Sequence, residues 1–325
     1  MITYFKLNRR RTFRSSSSVQ NHFVFQNDGG QERPMDFSYM EKFELFGAYN
    51  RYIHSEVDVL LGVWQILPHD LISEIPVDDE SKKGTWFLQQ LGDDRPIVLY
   101  CHGNKPSRAT PHRVMLYKVL QNMNFHVITF DYRGFADSTD VEPSENGVVQ
   151  DTIAMINWIR AHSKSSPLYI WGHSLGTGIA SKATRILCES NLCPDALILQ
   201  SPFTSIKDEL HSSRKTLPFR IFPWFDAMFV QPLNEHGLTF DTKENILYVT
   251  CPLLILHAED DAVVPYSLGK KLFQIVFESR NSDSKSVKFV TFDKKFKYGH
   301  NYICRAPELP IIVREFLRES VAKNL

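Results

Sequence analysis

The chain has 325 residues, with 43% hydrophobic and 23% charged side chains, the composition of an ordinary globular protein rather than a disordered or collagen-like one. Its 37 basic and 37 acidic residues cancel, which excludes the global positive surface that drives nucleic-acid binding. No apolar run approaches the roughly 18 to 20 residues of a membrane-spanning helix. No apolar h-region follows the basic start, so no signal peptide is expected.

Residues 1 to 35 stand apart. Lys6, Arg9, Arg10, Arg11, Arg14 and Arg33 face only Asp28 and Glu32, and Ser15 to Ser18 form a serine run. Such a segment fits a mitochondrial transit peptide or a tail drawn to anionic lipid. A plain disordered terminus is favoured over both. We therefore expect residues 1–50 to be a basic, disordered tail and residues 51–325 to form one domain.

From about residue 55 the pattern is regular. Glu56 to Leu67 alternates as one strand, and Gly84 to Arg95 is polar and turn-like. Short apolar runs then mark strands at Ile97–Tyr100, His126–Phe130, Leu168–Trp171, Ala196–Leu199, Leu253–Leu256 and Val287–Phe292. Helical spacing falls between them, at Val114–Met123, Glu145–Ala161, Leu175–Cys188 and Tyr266–Phe277, and closes the chain at Leu309–Ser320. Unbroken apolar strands alternating with amphipathic helices imply an α/β fold: a mostly parallel sheet covered by helices on both faces. The rhythm fails at about 203–250, where Phe219, Phe222, Trp224, Phe225 and Phe229 cluster. A stretch this long without regular rhythm points to an insertion of its own. We read it as a cap over the sheet whose aromatics bind substrate; the alternative is that they complete the core.

Gly172-His173-Ser174-Leu175-Gly176 follows a strand and opens a helix. That setting identifies a nucleophile elbow, in which the glycines permit a sharp turn and the serine stands at its tip. A serine hydroxyl needs a base to take its proton. In the order Ser, acid, His, the base is His300, after the last strand and before the last helix. His257 lies within a strand and reads as structural, and His102 precedes the nucleophile. The acid is sought after the strand ending near His257, where Asp261 is favoured and adjacent Asp260 remains the alternative. The carboxylate would accept the Nδ1 hydrogen of the imidazole and fix its tautomer. An oxyanion hole is expected from the backbone N–H groups of Leu175 and Asn104. Asp131-Tyr132-Arg133-Gly134 reads as a structural turn. His236 and Asp241 lie in the cap and are discounted as a catalytic pair.

Cys101, Cys188, Cys193, Cys251 and Cys304 are odd in number and contain no C-x-x-C. Neither a disulfide framework nor a zinc site is expected, and a reducing compartment is the favoured setting.

Taken together, Gly62-Val63-Trp64, His102-Gly103-Asn104, His112-Arg113, Phe130 to Gly134, Ile170 to Gly178, Ser201-Pro202-Phe203-Thr204, Cys251 to Asp261 and Ala306 to Pro310 resemble the α/β-hydrolase fold. More narrowly, they resemble the α/β-hydrolase domain-containing protein 12 subfamily, lysophosphatidylserine and monoacylglycerol lipases. The resemblance implies a triad of Ser174, Asp261 and His300. It implies a serine hydrolase acting on lipid carboxylic esters through an acyl-enzyme, with no metal or organic cofactor, and an endoplasmic-reticulum or peripheral-membrane setting. Relatives carry an upstream transmembrane helix that is not seen here, and Lys105-Pro106 follow Asn104 where a glycine is typical. Peptidase or acyl-protein thioesterase activity on the same fold, and an inactive binding module, remain alternatives.

Overall fold

The apolar strands assemble into one eight-stranded sheet in the computed structural model, which describes residues 13–27, 36–76, 80–105, 107–214, 216–280 and 287–321. The strands are β1 (Ala48–Glu56), β2 (Val59–Ile66), β3 (Ile97–Cys101), β4 (His126–Phe130), β5 (Leu168–His173), β6 (Ala196–Gln200), β7 (Leu253–Ala258) and β8 (Val287–Phe292). Their order is β1-β2-β4-β3-β5-β6-β7-β8. β1 and β2 form an antiparallel hairpin, β2 also runs antiparallel to β4, and all other pairs are parallel.

The two-residue period of a strand divides the core into two layers. In β3, Ile97, Leu99 and Cys101 enter one hydrophobic cluster while Val98 and Tyr100 enter the other. In β5, Leu168 and Ile170 share the first with Ile97, while Tyr169 and Trp171 join the second. Every residue of β3, β4 and β5 is buried, so each layer needs its own cover of helices. Leu175–Glu189 covers the first layer with Ile179, Ala180, Ala183 and Leu187. Pro111–Asn122 and Leu309–Val321 cover the second, through Val114, Leu116, Tyr117 and Leu120 on one and Leu309, Val313, Phe316 and Leu317 on the other.

Four expectations are corrected. Residues 56–67 are not one strand but the turn and second arm of a hairpin. The first arm, β1, is a sheet edge with mixed burial and many polar residues, so its apolar signal is weak. Glu80–Gln90 is a helix, not a turn; it places Phe87 in a small cluster with Leu67 and Leu71.

The expected disorder of residues 1–50 does not hold where they are described. Ser17–Val24 is a helix N-capped by Ser16, Phe25 is fully buried, and β1 starts at Ala48. Lys6, Arg9, Arg10, Arg11 and Arg33 lie outside the described residues. Finally, Cys188 and Cys193 are joined in a disulfide across the end of the helix Leu175–Glu189. Five residues of separation and no C-x-x-C spacing hid that pair from a motif search. Cys101, Cys251 and Cys304 are free and buried.

After β6 the chain leaves the sheet. It forms helices Ile206–Ser212 and Leu217–Arg220, a π-helical turn at Asp226–Val230, and helices Gln231–Glu235 and Thr242–Asn245. Glu145 ties this region to the sheet's helical layer: its Oε2 accepts from the backbone N–H of Thr239 at 2.8 Å and of Phe240 at 2.7 Å, and its Oε1 meets Lys182 Nζ at 2.8 Å.

Candidate active site

Ser174 joins β5 to the helix Leu175–Glu189 with φ 54° and ψ −122°. A non-glycine residue held at positive φ is a local strain that its surroundings must enforce. They do so by close approach. A Cβ on Gly172 would come within 2.5 Å of Gly176 O, and one on Gly176 within 2.1 Å of Cys101 O. Only glycine fits at either place, which is why the turn can be so tight. Leu175 opens the helix, so its N–H has no partner within the helix.

The loop after β3 runs against the elbow. A Cβ on Gly103 would meet Ser174 Cβ at 3.1 Å, so glycine lets this backbone approach the serine. Arg113, almost wholly buried, holds the loop from behind. Its Nη2 donates to Gly103 O at 3.1 Å, and its Nη1 donates to Lys105 O at 3.2 Å and to Ser107 O. Three carbonyls on one guanidinium supply a rigidity that the sequence around Lys105 did not advertise. Pro106 lies outside the described residues. The task of Arg113 was not legible in the sequence, where the available signal was a long cation in the first turn of the helix Pro111–Asn122, just after the loop it holds.

The two adjacent carboxylates after β7 have separate partners. Asp261 Oδ2 accepts from His300 Nδ1 at 2.8 Å. Asp261 Oδ1 accepts from the backbone N–H groups of Val263 and Val264, both at 2.9 Å. Burial alone would raise its pKa, but hydrogen bonding with His257 and His300 outweighs that and holds the carboxyl well below its usual range. Asp260 instead accepts the Gly299 N–H with both oxygens, at 3.0 and 3.1 Å. One carboxylate thus faces the imidazole and its neighbour fastens the loop that carries it. His257 lies fully buried in β7 and donates from Nε2 to Val264 O at 3.1 Å.

His300 is also tied to the elbow. His173 Nε2 donates to the His300 carbonyl at 3.0 Å, and the two rings lie 5.0 Å apart. Burial, followed by the neighbouring His300 and His112, pushes the His173 pKa far below its usual value. It is therefore a neutral donor. The Asp131 turn carries a separate ion-pair network: Arg108 bonds both Asp131 and Asp137, and Arg133 bonds Asp151 and Glu56. Burial raises Asp131 to a pKa of about 6 despite Arg108.

Ser174, Leu175 and Asn104 open into one cavity of about 480 Å³. Phe219, Phe225 and Phe229 line it, together with Phe203 from the end of β6. Phe222 and Trp224, expected beside them, do not; they stack on each other, centroids 5.2 Å apart, with Phe222 exposed. Unanticipated are Phe13, Val19, Phe23 and Val24, which supply a wall from the N-terminal segment. Among the described residues the one cluster with metal-ligand geometry is Cys188, Cys193 and Cys251, two of which are joined in the disulfide.

A strained serine between two glycines, on a mostly parallel sheet of this order, defines an α/β hydrolase. Residues 96–221 match the family model for the α/β-hydrolase fold. An esterase of Pyrococcus furiosus superposes with a TM-score of 0.60 at 19% identity, over 88% of this chain and 95% of its own. The ferulic-acid-bound Est1E of Butyrivibrio proteoclasticus superposes with 0.59 at 18%, over 84% and 99%.

Relatives at higher identity narrow the class. The lysophosphatidylserine lipase ABHD12 of Gallus gallus is 48% identical over 300 residues, 92% of this chain and 77% of that protein. That of Xenopus tropicalis is 44% identical over 92% and 76%. Protein ABHD12B of Homo sapiens is 39% identical over 82% and 72%. The chain belongs to the ABHD12 family of α/β hydrolases.

Proposed function

We propose that this protein is a serine hydrolase that cleaves the carboxylic ester of a monoacyl lipid, a lysophospholipid such as lysophosphatidylserine or a monoacylglycerol. Ser174 attacks the ester carbonyl, and its proton passes to His300 Nε2. Asp261 holds the Nδ1 hydrogen and stabilises the imidazolium. The N–H groups of Leu175 and Asn104 receive the oxyanion, each such donor contributing about 3 kcal/mol in the transition state. The alcohol leaves with the proton from His300; water then attacks the acyl-enzyme and frees the fatty acid. No metal or organic cofactor takes part.

The observation that carries this reading is that Ser174, Asn104 and Leu175 share one cavity with phenylalanine walls. Such walls suit an acyl chain better than a peptide backbone, which needs hydrogen-bond partners along its whole length. The family's named activity, lysophosphatidylserine lipase, agrees with it.

Contact with a lipid surface belongs to the same reading. Val19 and Phe23 at the cavity, and Leu217, Ile221 and Phe222 on the cap, are exposed apolar side chains. Arg14 and Arg220 lie close to them in sequence. This supports peripheral attachment to an anionic membrane. Among the described residues no helix is long and apolar enough to cross one.

The test is a substrate screen of the purified protein with lysophosphatidylserine, monoacylglycerol, acyl-thioester and peptide substrates. Release of fatty acid from the monoacyl lipids is expected. Efficient peptide or thioester cleavage without turnover of lipid esters contradicts the reading.

A further inference from the structure

The cavity is not closed by the cap alone. Phe13, Val19, His22, Phe23, Val24 and Gln26 all line it, and all precede the sheet in sequence. This segment is held at both ends. Phe25 is fully buried and packs edge-on against Phe135 at 6.4 Å and Phe240 at 5.9 Å. Asn27 Nδ2 donates to Gly134 O at 2.8 Å. At the other end Phe13, itself buried, lies 5.5 Å from the Phe229 ring of the cap and 5.5 Å from Phe23. Gln20 Nε2 donates to Phe13 O at 2.8 Å and closes that end against the helix.

Between the two anchors lies Ser17–Val24, eight residues and so about 12 Å of wall at the α-helical rise. Val19 and Phe23, four residues apart, share a helix face. Both line the cavity, yet they keep 37% and 40% of their surface exposed. They therefore form its rim, while Phe13 and Val24 are buried within.

We infer that residues 13–26 form one wall of the acyl-chain subsite, so that a segment outside the sheet and the cap selects which fatty-acyl esters are accepted. The inference rests on the ester-hydrolase reading above and adds to it the element that measures the chain. An acyl group bound at Ser174 runs between this helix on one side and Phe219, Phe225 and Phe229 on the other. Short esters reach the serine without touching Phe13 or Phe23; long ones pack on both.

Two full-length variants, Phe13→Ala and Phe23→Ala, test this against a series of monoacyl esters of increasing chain length. The readout is the ratio of kcat/KM for a long-chain ester to that for a butyryl ester. Each variant is expected to lower that ratio about tenfold, the discrimination one or two methylenes earn in an apolar pocket. Val57→Ala, exposed in the β1–β2 turn, serves as the control and leaves the ratio unchanged.

A second measurement does not depend on how the variants fold. A long-chain alkyl fluorophosphonate with a terminal diazirine is attached to the wild-type serine and irradiated. Crosslinks recovered in the peptide containing residues 13–26 support the inference. Crosslinks confined to the cap and core, or long-to-short ratios within twofold of wild type in both variants, overturn it. A wild-type protein that labels at Ser174 while showing either of these results leaves the ester-hydrolase reading standing and removes only the acyl wall. A wild type that neither labels nor cleaves any ester removes both.

Discussion

His173 donates from Nε2 to the backbone carbonyl of His300 at 3.0 Å. The residue beside the elbow serine thus holds the loop that carries the imidazole, across 127 positions of sequence. Burial holds its pKa well below the usual histidine value, so the ring donates as a neutral imidazole near neutral pH. We expect His173→Phe, which keeps the ring and removes the donor, to lower kcat tenfold to a hundredfold with little change in KM. His173→Gln, which restores an N–H, should recover part of the loss. Because His173 stays neutral, the pH–rate profile of the Phe variant should keep the limbs of the wild type. Steady-state kinetics with a short ester reads all three.

The Arg113 guanidinium clamps Gly103, Lys105 and Ser107 through their carbonyls. Arg113→Lys keeps the charge and loses the planar fork that reaches three acceptors at once. We expect Arg113→Lys to slow fluorophosphonate labelling and to lower kcat by about a hundredfold, as for loss of one oxyanion donor. Circular dichroism should show the fold retained. A rate within twofold of wild type would show that the loop holds its shape without the clamp.

The neighbouring carboxylates should separate under mutation. Asp261→Asn leaves the size of the side chain and removes the charge that faces His300 Nδ1; kcat is expected to fall by about 10⁴. Asp260→Asn weakens a tie to Gly299 N–H and should lower kcat by about tenfold at most, as for a loop anchor away from the proton path. Equal losses in the two variants would contradict this division of labour.

Asp93 carries a pH-dependent share of stability. Burial would raise its carboxyl, but hydrogen bonding and charge attraction with His126, together with Arg95, lower its pKa to about 2. A carboxylate depressed in the folded state stabilises it above its unfolded pKa, near 4, and loses that contribution as pH falls from about 4 towards 2. The difference in urea midpoint between wild type and Asp93→Asn should therefore be full at pH 6 and narrow steadily below pH 4.

Much of this was legible in the sequence because the chemistry constrains it locally. Strands buried on both faces are largely apolar, so β3 to β7 announce themselves. The elbow needs glycine at 172 and 176, and that requirement is written as a short motif. β1 was not legible, since an edge strand that faces solvent has no apolar run to show. The N-terminal wall was missed because arginine and serine dominate its composition, while Phe13 and Phe25 dock it on Phe229, Phe135 and Phe240, each more than a hundred positions away. The cap aromatics were half legible: composition gathered five of them, but only three dimensions divide Phe219, Phe225 and Phe229 in the cavity from Phe222 and Trp224 outside it. The choice between Asp260 and Asp261 turned on the direction of two adjacent side chains, which no pattern of residue types encodes.

The most direct test falls on Ser174. Intact-mass and peptide analysis after fluorophosphonate treatment should find one adduct, on Ser174, with labelling and ester hydrolysis both lost in a folded Ser174→Ala variant. An adduct on another serine, or a Ser174→Ala protein that still hydrolyses esters at the wild-type rate, would contradict it.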